Sequence, residues 1–401
     1  MSKKVFEKAM GLKKELINIR RDIHQHPELA FQEIRTSKLI KKELKKLGIA
    51  LIPLKCETAV LGILRGKNKS TKEKVIALRA DMDALPIQEN TGLEYQSIIK
   101  GKMHACGHDG HVAILLGIAK LLCSIKSDFS GMVKFIFQPA EEVFGGAKAM
   151  IKEGVLKNPI VNAILALHCW PLIEVGKIGI YNGVYMASAD KFTIKILGKG
   201  AHGAYPHKSI DTILTAAQLT VALQEIISRE IDTLDKAVIS ICTIEGGKAF
   251  NVIPETVTLS GTVRCLNSEV RSAIKEKIER IIKGVTSAYR CDYQFNYEFC
   301  VPPLVNSTEI NNLIIKAVKE TVGEDKVETL GFPAMSSEDF SIYLKKVPNG
   351  AFFRLGIANS GKDPLILHND HFDFNDEAIP YGVAILSQSV LDFLIKDGQF
   401  R

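Results

Sequence analysis

The chain has 401 residues, 46 % hydrophobic and 24 % charged, the balance of an ordinary soluble globular protein long enough for two domains with their own cores. Its formal charge of +7 comes from lysines scattered along helices such as 38–46, a solvated face and not a nucleic-acid footprint. The eight cysteines have no paired spacing, the first residues lack the apolar run of a signal peptide, and no uninterrupted apolar segment approaches the ~20 residues of a membrane span. The expectation is a cytoplasmic protein that meets neither a membrane nor nucleic acid.

Apolar positions recur at helical spacing from about 4 to 24, with Leu12, Leu16 and Ile19 on one face. Pro27 ends that helix after His24-Gln25-His26, and beside such a turn either histidine reads more simply as a structural hydrogen bonder than as a ligand. A second helix covers 36–47 and stops at Gly48. Strand-like runs follow at 59–65 and 74–79, the latter passing into Asp81-Met82-Asp83, where open α/β sheets place their ligands.

Met103-His104-Ala105-Cys106-Gly107-His108-Asp109-Gly110-His111 then crowds three histidines, a cysteine and an aspartate into nine residues ahead of a buried apolar helix at 112–122. Thiolate and imidazole suit zinc and its neighbours in the transition series. A closed structural site needs four protein ligands, usually as two short-spaced pairs, and no second CxxC or HxxxH lies elsewhere. The stretch reads as an open, catalytic metal site, with a structural knot or helix-capping histidines as the alternatives.

A strand at 131–137 runs into Gln138-Pro139-Ala140-Glu141-Glu142, a helix covers 147–153, and a buried strand at 163–168 ends on His168. Three strands thus deliver polar side chains to one edge of an α/β sheet. The middle differs: strand 190–197, helix 211–229, strands 237–245 and 255–265, helix 269–285 and strand 291–300 follow the βαββαβ order of a ferredoxin-like unit. Beyond it, helices at 309–321 and 376–395 flank apolar runs at 350–356 and 365–368, too few strands for a further domain. The predicted architecture is α/β. A discontinuous domain, 1–185 and 301–401, has a mixed central sheet flanked by helices, and 186–300 is an inserted ferredoxin-like α+β domain.

Cys106-Gly107-His108-Asp109, Glu141-Glu142, His168 before Trp170-Pro171, and Leu367-His368 before Phe372-Asp373-Phe374 stand in one order along the chain. In this the sequence resembles the M20 metallopeptidases and amidohydrolases over nearly its whole length. It is most similar to the branch of hippurate hydrolases, N-acyl-amino-acid and auxin-conjugate amidohydrolases, and N-acetyldiaminopimelate deacetylases.

The resemblance implies two divalent ions (Zn, Mn or Co) bridged by the Cys106 thiolate, one also on Glu142 and His368, the other on His108 and His168. Many members carry HxD on the earlier strand; here the position reads Asp81-Met82-Asp83, so His108 is expected to stand in for the missing histidine. Asp83 keeps the acidic position and is assigned to orienting a ligand, while Asp81 is left outside the ligand set. His104, His111, His207 and His371 are expected to be local hydrogen bonders. Glu141 is the implied general base and acid, set apart from Glu142 because neighbours on an extended segment point opposite ways. A metal lowers the pKa of its bound water towards ~7, making hydroxide available near neutral pH.

The inserted domain is implied to be a lid and dimerisation domain. Its His202, in the glycine-flanked loop 198–207, would polarise the scissile carbonyl in the partner subunit's site, while Asn251 and Arg264 would bind a free α-carboxylate. The implied protein is a homodimer, with a tetramer as the alternative, that hydrolyses N-acetyl, N-benzoyl or similar N-acyl L-amino acids. N-acetyldiaminopimelate deacetylation or di- and tripeptide cleavage are the rival activities. A metal- or ligand-binding protein on the same scaffold is the rival outside enzymology, and it would have no need of Glu141.

Overall fold

The computed structural model describes residues 2–68, 73–359, 361 and 364–395. Contacts divide the chain into two compact units, 1–183 with 305–332 and 342–401, and 184–304 with 333–341.

In the first unit one mixed sheet has eight strands, in the order Ala50–Ile52, Val60–Arg65, Met132–Gln138, Val75–Asp81, Ala163–Glu174, Gly350–Ala358, Ile178–Ile180 and Val327–Thr329. The four in the middle are mutually parallel. Val75–Asp81 and Met132–Gln138 are buried at every position, as strands covered on both faces must be. Their register sets the site: Asp81 pairs with Gln138, and Arg79 with Ala166. Two residues on, Asp81 and His168 therefore stand level at the carboxyl edge.

The helix His108–Ser124 packs on Val75–Asp81 and against the helices Ser2–Gln25 and Ile379–Ile395. Nearly all of it is buried, and Leu16, Ile23, Val112, Leu116, Phe135, Phe353 and Val383 belong to one core. Asp376–Ile395 is, among the described residues, the one stretch long and apolar enough to cross a membrane, and it lies mostly inside this core. The apolar run at 365–368 forms no strand; it is a turn in which His368 takes a φ of 62°.

The second unit has an antiparallel sheet ordered Ala237–Gly246, Thr256–Cys265, Ala189–Leu197, Asp292–Val301, the ferredoxin-like arrangement. The helices Thr212–Ala222 and Ser268–Ala288 cover one face, enclosing Phe192, Ile194, Leu219, Leu259, Ile274 and Ile278. The first helix is shorter than its apolar pattern suggests, since a π-helical turn, Ile226–Glu230, follows it. Residues 333–341 join this unit, whereas their position in the chain assigns them to the first. Ala187 N–H donates to the carbonyls of Ala334 and Ser336, and a loop without an apolar period carries no mark of which core it joins.

Candidate metal centre

The site is built where the parallel strands end. Gly107 opens the helix His108–Ser124 at a φ of 81°, with Cys169 Sγ and the Phe374 ring where a Cβ would go, so only glycine turns the chain here. That turn puts Cys106 just ahead of the helix and His108 on its first residue. Donor atoms of Cys106, His108 and His168 lie within 4.8 Å of one another, and so do those of Cys106, Glu142 and His368. The two triads share Cys106 alone. Cys106 Sγ is 3.4 Å from His168 Nε2, and His368 Nε2 is 3.3 Å from Glu142 Oε1.

Hydrogen bonds decide which imidazoles can bind a metal. His108 Nδ1–H donates to the carbonyl of Asp83 at 2.9 Å, leaving Nε2 buried with no hydrogen-bond partner among the described residues. His168 Nδ1–H donates to the carbonyl of Cys169 at 2.7 Å, so its Nε2 lone pair faces the thiol. A carbonyl can only accept, so each ring is fixed with a basic nitrogen towards the centre, the arrangement metal-binding histidines use. His111 has no such nitrogen to offer. Its Nε2 accepts Cys169 N–H at 2.9 Å, which places its proton on Nδ1, 2.6 Å from Asp81. Asp81 is further engaged by Arg79 Nη1 at 2.5 Å, so it serves the strand ends although it lies 3.7 Å from His108 Nε2.

Asp83 grips the glutamate pair by the backbone, Oδ1 accepting Glu141 N–H and Oδ2 accepting Glu142 N–H, each at 3.1 Å. Its two carboxylate oxygens thus hold the backbone of both glutamates. Ala140, at a φ of 55°, is held by Glu33, whose Oε1 accepts its N–H at 2.9 Å. Burial pushes Glu33 up to about 7, against hydrogen bonds from the backbone and with help from the charge of Asp83.

Charge in the centre is lopsided. Burial and the carboxylates of Glu142 and Glu141 push the Cys106 thiol well above its usual value. Burial would lower His108, but Asp81, Asp83 and Glu142 outweigh it and push it up to about 10. Burial would likewise raise Glu142, yet His368 and His108 hold it below the usual carboxylate value. The carboxylates that push Cys106 and His108 up favour a cation beside them, whereas burial and the neighbouring His111 hold His168 well below the usual imidazole value and so leave it without a proton. Sulfur, imidazole and carboxylate are transition-metal donors. The residues fit a pair of divalent ions.

The other histidines divide. His24 is a structural bonder, with Nδ1 2.8 Å from Asp109 and Nε2 3.3 Å from Glu89, and His26 Nδ1 donates to the carbonyl of Asp22. His371 pairs with Asp370 at 2.8 Å. His207 is exposed, its ring edge-on to Tyr205. His104 departs from expectation. It is buried, neither nitrogen has a hydrogen-bond partner among the described residues, and burial lowers it to about 3. Reasoning from the sequence also missed the network beneath the centre. Buried Arg20 donates to Asp109 at 2.7 Å and to Asp373 at 2.9 Å, tying the start of the helix His108–Ser124 to the loop after His368. Its one sequence signal was that Arg20 and His24 share a helix face.

The three remaining site residues belong to the second unit. His202 is exposed on a short ribbon where it pairs with Val252, next to Asn251, whose carbonyl accepts Gly203 N–H. His202 Nδ1 accepts Ala204 N–H at 3.1 Å, so the proton of the neutral ring sits on Nε2, the tautomer a carbonyl-polarising donor requires. Arg264 donates from Nη1 to Ser337 Oγ at 2.6 Å, and burial lowers its pKa.

Residues 77–392 match the model of peptidase family M20/M25/M40. The chain is 40 % identical over 386 residues to the IAA-amino acid hydrolase ILR1-like 5 of Arabidopsis thaliana, covering 95 % of this chain and 87 % of that one. It is 42 % identical over 344 residues to an N-acetyl-L-cysteine deacetylase of Bacillus subtilis, covering 85 % and 80 %. Among solved structures, the YXEP protein of Bacillus subtilis, described as a dinuclear metal-binding peptidase of the M20 family, superposes with a TM-score of 0.82 at 34 % identity, covering 97 % of this chain and all of that one.

Proposed function

The chain belongs to peptidase family M20/M25/M40 and is a metal-dependent amidohydrolase of N-acyl amino acids, and on that premise we propose how its own residues carry out the reaction. Two divalent ions, zinc, manganese or cobalt, would be held by Cys106, Glu142 and His368 and by Cys106, His108 and His168. Such ions acidify bound water and polarise a carbonyl. The observation that carries this reading is the pair of donor triads sharing the Cys106 sulfur.

Glu141 accepts the proton of the attacking water and delivers it to the departing nitrogen, so that one water and one amide become a carboxylic acid and a free amino acid. Asp83 keeps Glu141 and Glu142 in register. The partner subunit's His202 donates from Nε2 to the carbonyl oxygen as negative charge gathers there. Arg264 and Asn251 take the substrate's free α-carboxylate. The second unit is thus a lid and dimerisation domain, and the protein a homodimer. All eight cysteines are free, Cys106 among them, which suits a reducing cytoplasm.

The test is a screen of metal-reconstituted protein against N-acetyl, N-benzoyl and dipeptide substrates before and after chelation. Turnover of N-acyl amino acids that chelation abolishes and added metal restores is expected. Turnover of dipeptides alone would overturn the substrate class, and activity indifferent to chelation would overturn the metal centre.

A further inference from the structure

Phe31 sits at a φ of 61° with 46 % of its surface exposed. Bulky side chains rarely adopt that backbone region, and such strain persists only where the surroundings over-determine it. Here they do. The loop 28–33 is tied at both ends to segments that hold the metal centre. At one end Ala84 N–H donates to the carbonyl of Glu28 at 2.8 Å, and at the other Ala140 N–H donates to Glu33 Oε1 at 2.9 Å. Asp83 adjoins the first tie and Glu141 the second.

The turn after Ala140 closes tightly, with Phe144 N–H on the carbonyl of Glu141 at 2.8 Å and Gly146 N–H on that of Ala140 at 3.0 Å. Val143, the residue after Glu142, is left 59 % exposed. A Cβ added to Gly145 would meet Phe31 Cε2 at 2.9 Å and Val143 Cγ2 at 3.6 Å, so ring and isopropyl group lie against the same glycine. The result is an apolar patch one residue from a metal ligand, made by a strained aromatic side chain that the core of its unit does not bury.

We propose that Phe31 and Val143 form the acyl-group subsite and select aromatic or branched acyl groups over acetyl. This rests on the reading of the centre given above. With the scissile carbonyl at the centre, the acyl substituent runs along the turn that follows Glu142, where Val143 and Phe31 lie. An acetyl group ends at its methyl, whereas a benzoyl or arylacetyl ring reaches beyond the glutamates to the patch. Ring against ring there is worth about a tenfold preference.

The experiment compares kcat/KM for N-benzoylglycine and N-acetylglycine in the wild type, Phe31→Ala, Phe31→Leu and Val143→Ser, and measures benzoate and acetate binding by calorimetry. The benzoyl-to-acetyl ratio should fall about tenfold in Phe31→Ala and less in Phe31→Leu, with benzoate binding weakened in step. Equal losses on both substrates would overturn the subsite and make the patch a seat for another part of the chain or a second copy. Unchanged ratios in all three variants would overturn it as well. If the wild type cleaves neither substrate but Phe31→Ala still weakens benzoate binding about tenfold, the subsite stands and only the reaction assignment fails.

Discussion

Asp83 Oδ2 accepts the main-chain N–H of Glu142 at 3.1 Å, so one carboxylate holds another in place without touching its side chain. Oδ1 does the same for Glu141, and the carbonyl of Asp83 fixes the tautomer of His108. One residue thus orients the implied base and two implied ligands. Asp83→Asn turns one acceptor into a donor facing an N–H group. Metal content, measured by elemental analysis, and kcat should both fall, by about 10- to 100-fold. Full metal content with unaltered kcat would show that the backbone grip is dispensable.

Glu141 and Glu142 should separate under substitution. Glu141→Gln should retain its metals and lose activity by ~10²–10⁴, the usual contribution of a positioned acid and base. Glu142→Gln should lose metal. The opposite pattern in elemental analysis would reverse the two roles.

Arg264 already lies against Ser337, at 2.6 Å, and is partly desolvated, so a carboxylate arriving there meets a donor with little water to shed. Arg264→Ala should mainly impair free-acid substrates, raising their KM, and should affect the matching amides or esters far less. Equal impairment of both would assign Arg264 to the structure of its unit.

Glu33 gives a pH dependence with a definite sign. Its folded value of about 7 lies above the ordinary 4.5, so the folded state binds the proton more tightly than the unfolded chain does. The stability this provides is fully present below 4.5 and is lost as pH rises through about 7. Urea unfolding of metal-free protein should show a loss on the order of 1–3 kcal/mol over that interval, absent in Glu33→Gln. Parallel pH profiles for the two proteins would mean that Glu33 is ionised in the folded state.

The role proposed for His202 can be read by complementation. His202→Ala should lose about 10²–10³ in rate while keeping its metals, because it removes a donor to the oxygen that becomes charged. Mixing it with Glu141→Gln and allowing subunits to exchange gives dimers with one intact site and one doubly deficient site. Activity should reappear. Verified mixed dimers as inactive as their parents would confine His202 to its own subunit.

What the sequence determined by itself was local or periodic. The βαββαβ order of the middle, the buried strands that carry Asp81, Gln138 and His168, and the Cys106–His111 cluster all follow from patterns a few residues long, although the strand expected to end on His168 runs on to Glu174. Such patterns act through nearest-neighbour sterics and burial, so they are legible without coordinates. The tertiary structure decided the rest, because it depends on contacts between distant segments. Parallel register brings Asp81 and His168 level, and a turn with no strand pattern presents His368 to Glu142. His108 and His111 look alike in sequence, three residues apart on one helix. They part only because a carbonyl occupies one nitrogen of His108, whereas an N–H group and a carboxylate occupy both of His111. A lone pair is free to bind a metal only where the fold leaves it without a proton and without a partner, and that depends on what packs around the ring.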